Sequence, residues 1–235
     1  MQVHYGFDTL PPLQRTAVAV GSFDGVHRGH RLLIDRLNHI AHTDLAPDGQ
    51  SVVVTFDPHP RFVLKGENRL LSTLPEKLEL LGETGVDHVI VVHFTLEFSR
   101  IDSETFTQKY LIGRLHAETV LSGEGHHFGH NRSGSAAQLG QDGIHTANLG
   151  RYENISSTAI RAAIEAGDME TAGHMLGGPY LIRTDTPHDP TKLLPPAGEY
   201  RVQVPGASQS EERMWIDSSL FAAPARYPRI RILGK

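Results

Sequence analysis

From Thr16 to about Gly177, short runs of β-branched and apolar residues alternate with stretches whose apolar positions recur at helical spacing. Thr16–Gly21, Ser51–Phe56 and Asp87–Phe94, with a shorter fourth run at Glu118–Ser122, have strand length and end in glycine, proline or polar turns. Between them, a helix over about Gly29–His42 puts Leu33, Leu37, Ile40 and Ala41 on one face. Pro75–Glu83 opens with a proline suited to a first helical turn, and Ser103–His116 aligns Phe106, Tyr110, Leu111 and Leu115 behind a capping Asp102 or Ser103. Strands spaced by helices call for right-handed crossovers, so the expected fold is α/β, a Rossmann-like and mostly parallel sheet. Two more helices are expected over Ser156–Ala166 and Met169–Leu176. Thr184–Pro196 is then polar and proline-rich, followed only by short strand-like pieces at Glu199–Val204, Arg213–Ile216 and Arg229–Leu233. Residues 1–182 are thus expected to form the main domain. Residues 183–235 are expected to be a small β-rich appendage, too short for a core of its own unless docked.

Ligands of a parallel sheet gather beyond the carboxyl ends of its strands. Three unusual loops follow three of the expected strands: Gly21–His30, Asp57–Phe62 and Gly123–Gly134. Composition narrows what they bind. The formal charge of −5 argues against a broad nucleic-acid surface, and the absence of cysteine excludes disulfides and thiolate metal sites. No apolar run approaches a membrane span, and Met1–Pro12 lacks the pattern of a signal peptide. A cytoplasmic protein that binds small molecules, and neither nucleic acid nor membrane, is expected; the sequence sets no oligomeric state. Fifteen histidines are many for 235 residues, but most are scattered. His126, His127 and His130 lack a carboxylate or thiol to complete a metal set and read as a polar loop, so no metal ligands are assigned.

The sharpest segment is Gly21-Ser-Phe-Asp-Gly25-Val-His27-Arg-Gly29-His30. Its glycines allow a tight turn after the first expected strand and a close approach to a ligand. The helix that follows points unpaired N–H groups and a partial positive charge at that ligand, which suits phosphate. His27 and His30, three residues apart, offer hydrogen bonds to phosphate oxygens as charge builds on a phosphorus under attack. The same residues would also suit a capped helix carrying two surface histidines.

This H-x-G-H pattern, in its strand–turn–helix setting, resembles that of a nucleotidyltransferase superfamily. Followed by Thr55-Phe-Asp-Pro-His-Pro60, it resembles the adenylyltransferase module of bacterial bifunctional riboflavin kinase/FAD synthetases. Leu71-Ser-Thr73 with Glu76-Lys77, Gly85-Val-Asp87, Phe128-Gly129, Ile155-Ser-Ser-Thr158 with Arg161, and Leu176-Gly177 extend the resemblance over about residues 13–182. It implies transfer of AMP from ATP to FMN, giving FAD and pyrophosphate with Mg²⁺ present. By position, His27, His30 and Arg161 would be catalytic. Gly21, Ser22, Phe23, Asp24, Gly29, Ser156, Ser157 and Thr158 would bind the nucleotide. Phe56, Asp57, Pro58, His59, Pro60, Phe62, Gly125 and Phe128 would lie near the flavin. A purely structural, strand-ending role also suits the Asp57–Pro60 stretch.

Ser22, Gly125, His126 and Ala159 depart from the family's usual residues. Two alternatives therefore stand beside FMN: another small phosphorylated acceptor, or a weakly active flavin- or nucleotide-binding paralogue with a regulatory role. The kinase signature Pro-Thr-Ala-Asn does not occur, and Leu194-Pro-Pro-Ala-Gly-Glu-Tyr200 only faintly resembles the entry to that domain. The appendage is read as a reduced barrel remnant, and no riboflavin kinase activity is expected.

Overall fold

The computed structural model describes residues 1–67, 69–123, 129, 134–150, 155–187, 189–204, 211–221 and 227–235. The chain forms two compact units that interleave in sequence. The first is Met1–Phe23, His30–Gly66 and Leu81–Tyr152; the second is Asp24–Gly29, Glu67–Leu80 and Glu153–Lys235. Compactness thus groups the chain differently from a single cut at residue 182.

The first unit carries the expected parallel sheet. Six strands, β1 (Gln2–Tyr5), β2 (Arg15–Val20), β3 (Gly49–Asp57), β4 (His88–His93), β5 (Ala117–Gly123) and β6 (His145–Leu149), lie in the order β1-β4-β3-β2-β5-β6. Every pairing is parallel. The inner strands read as continuous apolar runs because both faces are covered: Val52, Val53, Val54, Val89 and Ile90 are all fully buried. From β2 the chain steps through β3 to β4 on one side, then returns to place β5 on the other. The order reverses between β2 and β5, the place where such sheets open a crevice. Helix α1 (Arg28–His39) buries Leu33, Ile34 and Leu37, then relaxes into a π-helical turn over Ile40–Asp44. The short α2 covers Pro60–Lys65, and α3 (Leu74–Gly82) falls mostly in the second unit. Asp102 caps α4 (Ser103–Thr105) by accepting from the Thr105 amide at 2.8 Å. That helix runs on as a π-helical stretch over Phe106–Ile112.

Two strands escaped the sequence reading. β1 is four residues of mixed polarity at the sheet edge, anchored where His4 Nε2 meets His88 Nδ1 at 3.0 Å. Burial, and next the neighbouring His4, push the proton affinity of His88 down. β6 (His-Thr-Ala-Asn-Leu) forms the opposite edge. Edge strands are buried on fewer sides, so polar residues persist and the apolar signal fades. α2 and α5 (Ala136–Gln141), six residues each, are likewise too short to show a helical period.

The second unit holds an antiparallel sheet of β7 (Tyr180–Arg183), β8 (Gly198–Gln203), β9 (Glu211–Ile216) and β10 (Arg229–Gly234), ordered β7-β10-β8-β9. Its inward residues Tyr200, Val202, Ile216, Ile230 and Ile232 share one core with Ile160 and Ile164 of α6 (Ser157–Glu165) and with Met169, Ala172 and Leu176 of α7 (Met169–Leu176). The expected appendage is therefore docked: its apolar face is buried against the two helices that precede it. Gly177 closes α7 in the left-handed conformation, φ 81°.

Candidate active site

The loop after β2 is held in an unusual backbone. Gly25 has φ 75°, and two non-glycine residues beside it, Phe23 and Val26, also take positive φ, 49° and 39°. Left-handed backbone costs an L-residue roughly 1–2 kcal/mol, and such outliers persist only where the surroundings over-determine them. A side chain at Gly25 would meet Leu71 Cβ at 3.0 Å and Leu176 Cδ2 at 3.2 Å. Glycine is required there for two reasons, conformation and space.

In the first unit, Gly21 donates its amide to Val54 O at 3.0 Å, and the Ser22 carbonyl accepts from Thr55 Oγ1 at 3.0 Å. Both bonds tie the β2 exit to neighbouring β3. Phe23 is buried with its ring against that of His30, centroids 5.1 Å apart and tilted by 56°. β3 exits through Phe56 and Asp57. His59 then caps α2, its Nδ1 accepting from the Arg61 amide at 3.1 Å, with Pro60 in the first turn. Phe56 stands edge-on to Phe94 at 5.4 Å, so this candidate flavin wall is half-built into the core, whereas Phe62 is 41% exposed. Residues of both loops, Gly21–Phe23 and Asp57–Phe62, stand at the carboxyl ends of adjacent parallel strands, as expected.

In the second unit, Asp24 is buried and its carboxylate is fully engaged. Oδ1 accepts from the amides of Leu71 and Ser72 at 2.9 and 3.0 Å, and Oδ2 pairs with Arg161 Nη2. Arg161, on the second turn of α6, also donates Nε to the Arg69 carbonyl at 2.6 Å. Ser72 Oγ accepts from the Gly25 amide at 2.9 Å. Asp24, Gly25, Leu71, Ser72 and Arg161 thus form one buried lattice. Ser156 is the N-cap of α6, its Oγ accepting from the Ala159 amide at 3.2 Å; Ser157 and Thr158 form the first turn. Gly29 follows His27 closely, and a Cβ there would stand 3.3 Å from the imidazole.

His27 immediately precedes α1 and is 8% exposed. Burial lowers its pKa to about 4; the Asp24 charge and a backbone hydrogen bond oppose the shift without cancelling it. The folded state therefore prefers a neutral ring, and its stability is complete above the ordinary histidine pKa of 6.5. As pH falls from 6.5 towards 4, the unfolded chain takes up a proton that the native site resists, and stability is lost. At about pH 4.5 this group alone should lower unfolding free energy by about 2 kcal/mol relative to about pH 7. Urea titrations of the wild type and of His27→Gln check this: the difference between the two pH values should shrink by that amount in the variant.

Gly125 and Phe128, expected near the flavin, lie outside the described residues, as do His126, His127 and His130. Among the described residues no group of three or more His, Asp or Glu side chains could hold a metal, and no helix is long and apolar enough to cross a membrane. The parts played by Ser72 and the Arg69 carbonyl were not legible in the sequence. The only hint was the Leu71-Ser-Thr73 motif, which marked the loop without saying what it holds.

The fold is shared with a crystal structure described as a macrolide-efflux protein from Streptococcus pneumoniae. Its TM-score is 0.80 at 20% identity, covering 100% of this chain and 90% of that one. The bifunctional riboflavin kinase/FMN adenylyltransferase of Listeria monocytogenes is 36% identical over 182 residues, 73% of this chain and 56% of that protein. The Escherichia coli (strain K12) protein of the same description is 32% identical over 181 residues, covering 73% and 57%. The chain spans just over half the length of these two relatives. Residues 10–159, which run from ahead of β2 into α6 and include the loop after β2, match the model of the FAD synthetase family. This chain belongs to the FAD synthetase family.

Proposed function

We propose that the chain transfers AMP from ATP, supplied as its Mg²⁺ complex, to the phosphate of FMN, giving FAD and pyrophosphate. The observation that carries the proposal is the placement of His27 and His30 at the amino end of α1, where the loop after β2 ends, in a chain of this family. An oxygen of the FMN phosphate attacks the α-phosphorus of ATP as pyrophosphate leaves, and the protein's task is positioning and charge stabilisation. His27 and His30 are assigned as N–H donors to the phosphoryl oxygens. A neutral His27 retains one donor, and an approaching triphosphate favours its protonated form.

Ser156, Ser157 and Thr158 are assigned to the triphosphate, with the first-turn amides of α6. Arg161 commits Nε and Nη2 to Arg69 and Asp24; the Nη1 side of its fork is assigned to phosphate. Gly21, Ser22, Phe23, Asp24 and Gly29 shape the nucleotide side. Phe56, Asp57, Pro58, His59, Pro60, Phe62, Gly125 and Phe128 are assigned to the flavin. Residues 1–182 are taken as the nucleotidyltransferase part and 183–235 as a barrel remnant without riboflavin kinase activity. The missing Pro-Thr-Ala-Asn signature within these residues supports that, as does a tail core shared with α6 and α7.

Incubation with FMN, ATP and Mg²⁺, followed by chromatography, tests the reading. FAD and pyrophosphate should appear in equal amounts, and riboflavin with ATP should give no FMN. No FAD, with ATP still bound, would refute FMN as acceptor and leave either another phosphorylated acceptor or a nucleotide-binding paralogue.

A further inference from the structure

Lys192 sits in the polar, proline-rich stretch Thr184–Pro196, yet its side chain is 1% exposed. All three ammonium protons are used: Nζ donates to Leu71 O at 2.8 Å, Glu76 Oε2 at 2.7 Å and Leu181 O at 2.9 Å. The ammonium also lies 4.1 Å from the ring centroid of Tyr180, which is itself buried. Glu76, equally buried, accepts from the Thr73 amide through Oε2 and from the Arg183 amide through Oε1, each at 2.8 Å. The flanking backbone continues the clamp, with Leu70 N donating to Thr191 O at 2.7 Å and Leu193 N to Leu70 O at 2.8 Å.

Residues 70–73 are therefore gripped from one side by the segment Thr191–Leu193. From the other side the same residues present the Leu71 and Ser72 amides to Asp24, and the Ser72 hydroxyl to Gly25. Arg161 is bound to the same short loop through the Arg69 carbonyl. A charge removed this completely from water is costly to hold even when paired. Burial lowers the proton affinity of Lys192, while Glu76 opposes that shift. A buried ion pair gives little net stability over apolar residues of similar size, so its value here lies in direction: the three acceptors fix where residue 71 points.

We propose that Lys192, through the carbonyl of Leu71, is a positioning residue for the nucleotide site, so that the carboxy-terminal segment is a working part of the adenylyl-transfer machinery. The inference rests on the adenylyl-transfer reading above. It makes Lys192 and Glu76 a bracket that sets loop 69–73, which in turn sets Asp24, Gly25 and Arg161.

The test is the double replacement Lys192→Met with Glu76→Gln, which removes both charges and keeps an acceptor for one of the two backbone amides that Glu76 holds. The single change Lys192→Met strands a buried carboxylate and should melt well below the wild type; the double variant, which leaves Leu71 O and Leu181 O without this donor but strands no charge, should melt between the two. In the double variant the Leu71 and Ser72 amides should exchange about tenfold faster, and KM for ATP should rise about tenfold, the loss of about one hydrogen bond's worth of alignment. KM for FMN should stay unchanged. Should the double variant not fold, Lys192→Gln with Glu76→Gln, which removes both charges and retains a donor at position 192, is expected to show the same ATP-selective change at about half the logarithmic size. Protected amides with an unaltered KM for ATP, or an equal rise in both KM values, would overturn the inference. A wild type that makes no FAD sinks the functional reading and this inference with it; a wild type that makes FAD beside an unimpaired variant sinks this inference alone.

Discussion

Replacing His30 by alanine is expected to lower FAD formation by roughly 10²–10³-fold, the effect of deleting one preorganised donor to a charged transition state. The loss should fall on kcat more than on KM for either substrate, because the donor matters most once charge has moved onto the α-phosphoryl oxygens. The fold should survive. His30 is half-buried at the first turn of α1, and its ring contact with Phe23 contributes about 1 kcal/mol. Steady-state kinetics beside circular dichroism separate the two effects. Full activity in the variant would remove His30 from the reaction.

Asp24→Ala should act on stability first. It removes the acceptor of two backbone amides and leaves the Arg161 guanidinium, also buried, without its counter-charge. Breaking such a pair from one side costs about 3–5 kcal/mol, so the melting temperature should fall by about 10 °C. Activity should fall as well, because loop 24–29 carries His27. Removing the partner too, as Asp24→Ala with Arg161→Met, should recover part of the lost stability but none of the lost activity. A double variant whose losses simply add would show that the two side chains are not coupled.

These residues also show what can be read from a sequence of this kind. β2, β3, β4 and β5 were legible because strands buried on both faces keep unbroken β-branched runs such as Ser51–Phe56. The edge strands β1 and β6 were not, for the lack of that pressure. The head of α1 was legible because glycines and histidines at fixed spacing after a strand leave few alternatives. The lattice behind it was not. Asp24 reads as one acidic residue in a polar turn, and its partner Arg161 lies 137 residues away. Lys192 reads as a loop cation, with nothing nearby to announce that it is buried beside Glu76, 116 residues earlier. Long-range charge pairing leaves no periodicity, so only the three-dimensional arrangement reveals it.

The interleaving of the two units bears on the birth of the protein. The six parallel strands are all present once residue 149 has been made, but loop 24–29 is then still missing Arg161, and its supporting loop is missing Lys192. Contacts this distant close late and slowly. All six strands of the parallel sheet are therefore synthesised before the partners of Asp24 and Leu71 exist. The lattice around Asp24 can close only after both Arg161 and Lys192 have been made.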